Sequence, residues 1–105
     1  MEVETQLKAL NNPTRLKILE WLKKPEDNFP PHESGLSFET GVCVTYLQEK
    51  AGISQSATSQ YMAILHAAGF IIPTRIGKWT YYKRNEETIT QFMHDLNTIM
   101  TLTGE

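Results

Sequence analysis

The sequence predicts a mostly α-helical domain, residues 1–105, closed by one small β-hairpin. Three observations carry that prediction. Apolar residues recur at helical spacing in five separate segments. One stretch, "FIIPTRIGKWTYYKRN", instead alternates apolar and polar residues around Gly77-Lys78, the pattern of two strands and a tight turn. The length of 105 residues suits one modest core.

Taken in order, residues 3–11 place Val3, Leu7 and Leu10 on one stripe of a short amphipathic helix. A second helix follows. Asn12 is a good N-cap, and Pro13 falls at the first helical position, where its missing N–H is no loss. Leu16, Ile18, Leu19 and Leu22 form its expected buried stripe. Residues 23–41, with three prolines and two glycines, show no period and read as a long connection. A third helix is expected from about Cys43 to Ala51, with Val44, Leu47 and Ala51 facing inward and Gly52 as its left-handed stop.

Ser54 then caps a fourth helix only about three residues further on, the spacing of a helix-turn-helix connection. Ala57, Tyr61, Ile64, Leu65 and Ala68 define its expected inner face, and Gly69 ends it. The hairpin occupies 70–84. Its Ile, Thr, Trp and Tyr content favours strand, and Pro73, lacking a ladder donor, belongs at an edge. Asn85 caps the last helix, whose apolar stripe includes Ile89, Phe92, Met93, Leu96, Ile99 and Met100. Helix, helix, loop, helix, tight turn, helix, hairpin, helix is the winged helix-turn-helix order. Residues 43–68 form the helix-turn-helix and 70–84 the wing.

The fourth helix carries the functional signal. Its entry, "SQSATSQY", has no charge and little bulk. A helix laid in a DNA major groove must bring its backbone near base edges and phosphates, and small polar side chains permit that approach. Ser54, Gln55, Ser56, Thr58, Ser59 and Gln60 supply such a surface, helped by the positive end of the helix. Gln55 and Gln60 are the candidates for base contact, because a glutamine amide pairs bidentately with adenine. Tyr61 straddles the edge, with its ring inward and its hydroxyl toward phosphate. Read alone, the same residues would serve as a cap and an ordinary exposed face.

Charge distribution supports the nucleic-acid reading. The chain has 10 basic and 12 acidic residues, for a net charge of −2. Yet Lys50 to Arg84 holds five of the basic residues and none of the acidic ones. Such polarity lets an acidic protein present a positive face. Arg75 and Lys78 bracket the hairpin turn, where cations can follow a phosphate backbone. Lys83 and Arg84 either add phosphate contacts or are solvated. Trp79, Tyr81 and Tyr82 are expected to pack on the core rather than stack on bases. No apolar run reaches eighteen residues, so no transmembrane helix is expected, and the acidic start "MEVETQLKAL" is unlike a secretory signal. The expected location is the cytoplasm. No nucleophile–base spacing or phosphate-cradling glycine loop is evident, so an enzyme is not expected.

"ALNNPTRLKILEWL", "GVCVTYLQEKAGISQSATSQYMAILHAAGFI" and "RIGKWTYYK" together resemble the ArsR/SmtB family of bacterial repressors. The resemblance covers nearly the whole chain outside the 23–41 loop. It implies a homodimeric winged-helix protein that binds a palindromic double-stranded operator and represses until a signal releases it. Ser56 and Ser59 match the family's reading helix, whereas Tyr61 stands where His is common and Met62 where Leu is usual. Arsenic-responsive members use a Cys-Val-Cys segment, which here is Cys43-Val44-Thr45. Zinc-responsive members use ligands that fall on Glu86, Thr88, Ile99 and Leu102. No cofactor is therefore expected, and no metal at the usual family sites.

Other signals have weaker grounds. Cys43, the single cysteine, is either a redox switch or a buried small apolar residue. His32, Glu33 and Glu39 with Cys43 could compose an unorthodox metal site, although loop histidines are usually solvated. The stripes at Leu7, Leu10, Ile89, Phe92, Leu96 and Ile99 exceed what so small a core can cover. They point to a two-fold interface built from residues 1–11 and 86–103. The alternative function is a winged-helix protein-interaction module without DNA binding.

Overall fold

Eight residues, Val3–Leu10, form helix α1, and Pro13–Lys23 form α2. Between them the Asn12 side chain accepts from the Arg15 N–H at 2.9 Å, the capping bond its position predicts. The computed structural model describes residues 2–102. Residue 103, the end of the expected dimerisation segment, lies outside them. The remaining elements are α3 (Pro25–Asn28), β1 (Val42–Cys43), α4 (Val44–Ala51), α5 (Gln55–Ala67), β2 (Ile71–Ile76), β3 (Trp79–Arg84) and α6 (Glu86–Met100). The chain is mostly α with a β wing.

Gly52 ends α4 in the left-handed region at φ 65° and donates to the carbonyls of Gln48 and Glu49. Three residues later α5 begins. Ser54 accepts from the Ala57 N–H at 3.0 Å and Asn85 from the Thr88 N–H at 3.2 Å, so both predicted caps are made. Each such cap is worth about 1 kcal/mol. The hairpin turns at Gly77-Lys78, with Ile76 opposite Trp79 and Pro73 opposite Tyr82. Strand order is β1-β3-β2, which leaves Pro73 on an edge strand.

The long connection and the two residues that follow it hold two elements that the sequence hid. One is the single-turn α3. The other is β1, which pairs with β3 through Val42 opposite Tyr82 and Cys43 opposite Tyr81. Gly41 makes that pairing possible. Its φ is 129°, and a Cβ there would sit 2.8 Å from the Tyr82 backbone. His32, expected to be solvated, is buried. Its Nε2 accepts from the Cys43 N–H at 3.1 Å, and its Nδ1 lies 3.0 Å from the Leu36 carbonyl. With Nε2 accepting, the tautomer is the one whose Nδ1 donates to the Leu36 carbonyl. Phe38, Tyr46 and Tyr81 pack around it. The loop is thereby pinned to the sheet.

Ile18, Leu19, Leu22, Leu47, Met62, Leu65, Phe70 and Phe92 fill one core. Two expectations about helix faces are corrected. Leu16 is 50% exposed, because the inward stripe of α2 runs through Arg15, Ile18, Leu19 and Leu22 instead. In α5 the buried positions are Thr58, Met62 and Leu65, while Ala57, Tyr61 and Ile64 are only half-buried. No helix among the described residues is long and apolar enough to cross a membrane.

Candidate nucleic-acid interface

The exposed face of α5 carries Ser56, Ser59 and Gln60, together with Gln55 at its first position and Ser54 just before it. None of these side chains is charged. Thr58 is not part of that surface. It is 1% exposed, and its hydroxyl donates to the Ser54 carbonyl at 2.8 Å, which satisfies a polar group without water. Tyr61 sits half-buried at the edge of the face, and its hydroxyl oxygen lies 3.5 Å from Asn12 Nδ2. A hydroxyl that accepts there still has its own proton to donate.

Beside this face lies the wing. A cleft of about 330 Å³ separates them, with Gln55 and Ser59 on one wall, Lys78 and Thr80 on another, and Thr45 and Gln48 of α4 at the third. Nothing in the sequence marks Thr45 or Gln48 as neighbours of this face. Their three-residue spacing puts both on one face of α4 beside the polar end of α5, and only the wing's position reveals that they share a cleft.

The five basic residues of the acid-free segment divide by location. Arg75 and Lys78 are exposed at the wing tip, where Arg75 Nε donates to the Gly77 carbonyl at 3.0 Å and steadies the turn. That bond uses one of the guanidinium's five donors. Lys78 Nζ lies 5.7 Å from the Trp79 ring centre. Lys83 is exposed on β3. Arg84 is committed elsewhere: it grips Glu86 at 2.7 and 3.0 Å and donates to the Leu19 carbonyl at 3.2 Å, tying wing, α6 and α2 together. Lys50 lies against Trp21 and Phe29. Of the aromatics, Tyr81 is buried and Tyr82 half-buried, but Trp79 remains exposed at the turn.

A helix-turn-helix with uncharged polar residues on its second helix, flanked by a cationic hairpin, can seat a duplex groove and its phosphates. No family model matches the chain. It is 50% identical over 99 residues to an HTH-type transcriptional regulator of Bacillus subtilis, YbzH, covering 93% of this chain and 98% of that one. The chain belongs to the HTH-type transcriptional regulators. It is also 34% identical over 82 residues to a putative arsenical resistance operon repressor, ArsR2, of Halobacterium salinarum. That match covers 78% of this chain but 58% of the relative. Among solved structures, the transcriptional repressor BigR from Xylella fastidiosa is similar with a TM-score of 0.61 at 26% identity, covering 94% of this chain and 86% of that one. As an HTH-type member, the chain is a DNA-binding transcriptional regulator.

The ArsR/SmtB metal positions lack the donors either metal needs. Cys43 is buried, with Sγ 3.2 Å from the Thr45 hydroxyl, so the second soft donor an arsenic site needs is a hard oxygen. At the zinc positions Glu86 is held by Arg84, and Ile99 and Leu102 have no donor atoms. These residues do not fit either metal. In the loop, both ring nitrogens of His32 already have backbone partners. No three His, Cys, Asp or Glu side chains converge among the described residues.

The apolar stripe of α6 divides. Phe92 is 4% exposed and stacks edge-on against Phe70, with centroids 5.3 Å apart, so it belongs to the protomer core rather than to an interface. Ile89, Leu96 and Leu10 are partly buried against that core. Leu7, Met93, Ile99 and Met100 are exposed.

Proposed function

We propose that the protein is a homodimeric, sequence-specific repressor that acts in the cytoplasm on a palindromic duplex operator and is released by a signal. The observation that carries the reading is the pairing of two unlike surfaces. The face of α5 is polar and uncharged beside a cationic wing tip, and α6 ends in exposed Met93, Ile99 and Met100. The first surface suits a groove; the second suits a second copy. Dimerisation through α1 and α6 would set two copies of α5 about 34 Å apart, one duplex turn, so each meets a half-site. In this reading Ser54, Gln55, Ser56, Ser59 and Gln60 approach the major groove, while Arg75 and Lys78 follow the flanking backbone.

No metal cofactor is assigned. Cys43 is the one thiol available for a redox signal, and it lines a pocket of about 450 Å³ beside His32, Tyr46 and Tyr81. If Cys43→Ser and parent protein release DNA equally under peroxide, the signal is not the thiol.

The test of the whole reading is selection of duplexes from a random library, followed by affinity measurement across salt and sedimentation of the free protein. The expected result is an inverted-repeat sequence, affinity that falls steeply with salt, and a dimer at micromolar concentration. Salt-independent binding with equal affinity for unrelated DNA would sink the repressor reading. It would favour the protein-interaction module.

A further inference from the structure

Arg15 is a buried cation in an unusual setting. Its Nε donates to the Ala9 carbonyl at 2.6 Å and its Nη2 to the Lys8 carbonyl at 3.2 Å. Both carbonyls belong to the last turn of α1, where the helix dipole is negative, and the Lys8 carbonyl also accepts from the Asn11 N–H at 3.2 Å. The guanidinium carbon lies 5.4 Å from the centre of the Tyr61 ring on α5. Among the described residues the ion pairs join Lys8 to Glu4 and Arg84 to Glu86, so no carboxylate pairs with Arg15. Its charge is balanced instead by the end of one helix and the π face of a residue on another. Asn12 adds a second link to the same tyrosine. At the far end of α5, Gln6 of α1, itself buried, donates to the Ala68 carbonyl at 3.3 Å. The reading helix is therefore tied to α1 at two points, near its middle through Arg15 of α2 and at its C-terminal end directly through Gln6.

We infer that Arg15 is a positioning residue for DNA reading: its guanidinium, fixed on the C-terminal carbonyls of α1, sets Tyr61 and through it the angle at which α5 presents its polar face. The inference rests on the DNA-binding reading above. Lysine cannot replace this arrangement. A compact ammonium lacks the planar, delocalised fork that reaches both carbonyls while its centre stays over the tyrosine ring. Because Arg15 is buried, it touches no phosphate, so its loss should change which sequences bind well without changing how many phosphates are contacted.

The test uses full-length Arg15→Lys, Tyr61→Leu, the double variant and Tyr61→Phe. Two probes are used: a duplex enriched by the parent protein from a random library, and an unrelated duplex. The readout is the ratio of the two affinities, with the salt slope and the melting temperature measured alongside. Arg15→Lys and Tyr61→Leu should each lower the ratio about tenfold with an unchanged salt slope. The double variant should lose no more than the worse single one, because both break the same link. Tyr61→Phe keeps the ring that meets Arg15 but loses the hydroxyl that Asn12 reaches, so its ratio should fall less than that of Tyr61→Leu. A ratio unchanged in Arg15→Lys despite a lower melting temperature would overturn the inference and leave Arg15 a stabilising residue only. Should Arg15→Lys fail to fold, an unchanged ratio in Tyr61→Leu, at a half-exposed position, overturns it equally. A parent ratio of one would instead overturn the DNA reading itself, and the inference with it.

Discussion

Helices α5 and α6 start alike and end differently. Each opens on a side-chain cap, Ser54 and Asn85, and each buries one stripe in the same core. What they leave outside differs in kind. Outside α5 are Ser56, Ser59 and Gln60, side chains that water satisfies. Outside α6 are Met93 at 58%, Ile99 at 64% and Met100 at 73% exposure, side chains that water penalises. A single copy can live with the first face indefinitely. The second is an unfinished surface, and burying one such side chain is worth about 1.5–3 kcal/mol. Under the proposed function, one small fold keeps its two partners apart by chemistry alone, with a polar helix for a polyanion and an apolar helix for a second copy.

The sharpest way to break that comparison is to make the two outer faces alike. Replacing Ile99 and Met100 together by Glu should leave the core intact and yield a monomer in sedimentation, and affinity for a selected palindromic duplex should fall by about a hundredfold or more as two-site binding is lost. Next in size is the polar face itself. Gln55→Ala and Gln60→Ala should each lose about 1–3 kcal/mol of discrimination between selected and unrelated duplexes, with dimerisation unchanged. Lys78→Gln should weaken binding to every duplex alike and lower the magnitude of the salt slope by about one.

Thr58→Val tests the boundary between face and core. It should reduce stability by about 1 kcal/mol on thermal melting while leaving duplex discrimination unaltered, since the lost hydroxyl bonds only the Ser54 carbonyl. The smallest effect concerns Tyr82 at the base of the wing. Burial raises its pKa above the ordinary value of 10.0. The folded protein therefore holds that proton more tightly than the unfolded chain does. Its contribution is fully present below pH 10 and is lost as pH climbs through the raised value. Tyr82→Phe should flatten the alkaline end of the stability profile slightly and change nothing at neutral pH.

Much of this was legible in the residues. Ser54, Asn85 and Gly52 announce helix ends through local chemistry, and Gly77-Lys78 marks the turn. What escaped did so for physical reasons. Thr58 looks polar, but in a helix its hydroxyl can be satisfied by a carbonyl four residues back, so polarity misjudged its face by one position. Phe92 belongs to a stripe that sequence spacing cannot divide between a core and an interface. Strand β1 is two residues long, too short for any period, and depends on the backbone approach at Gly41. His32 sits in an aperiodic loop, and nothing near it in sequence foretells that both ring nitrogens find backbone partners. That Thr45 and Gln48 share a cleft with α5 and the wing is settled by tertiary packing, which sequence spacing does not show.

The central claim is that α5 and the wing, and not α6, meet duplex DNA. The most direct measurement is a map of amide chemical shifts in the full-length protein as a library-selected duplex is added. The account predicts perturbation concentrated at Ser54–Gln60 and around Arg75–Trp79, with Met93, Ile99 and Met100 unmoved. Shifts concentrated on α6, or none on α5 at saturating duplex, would contradict it.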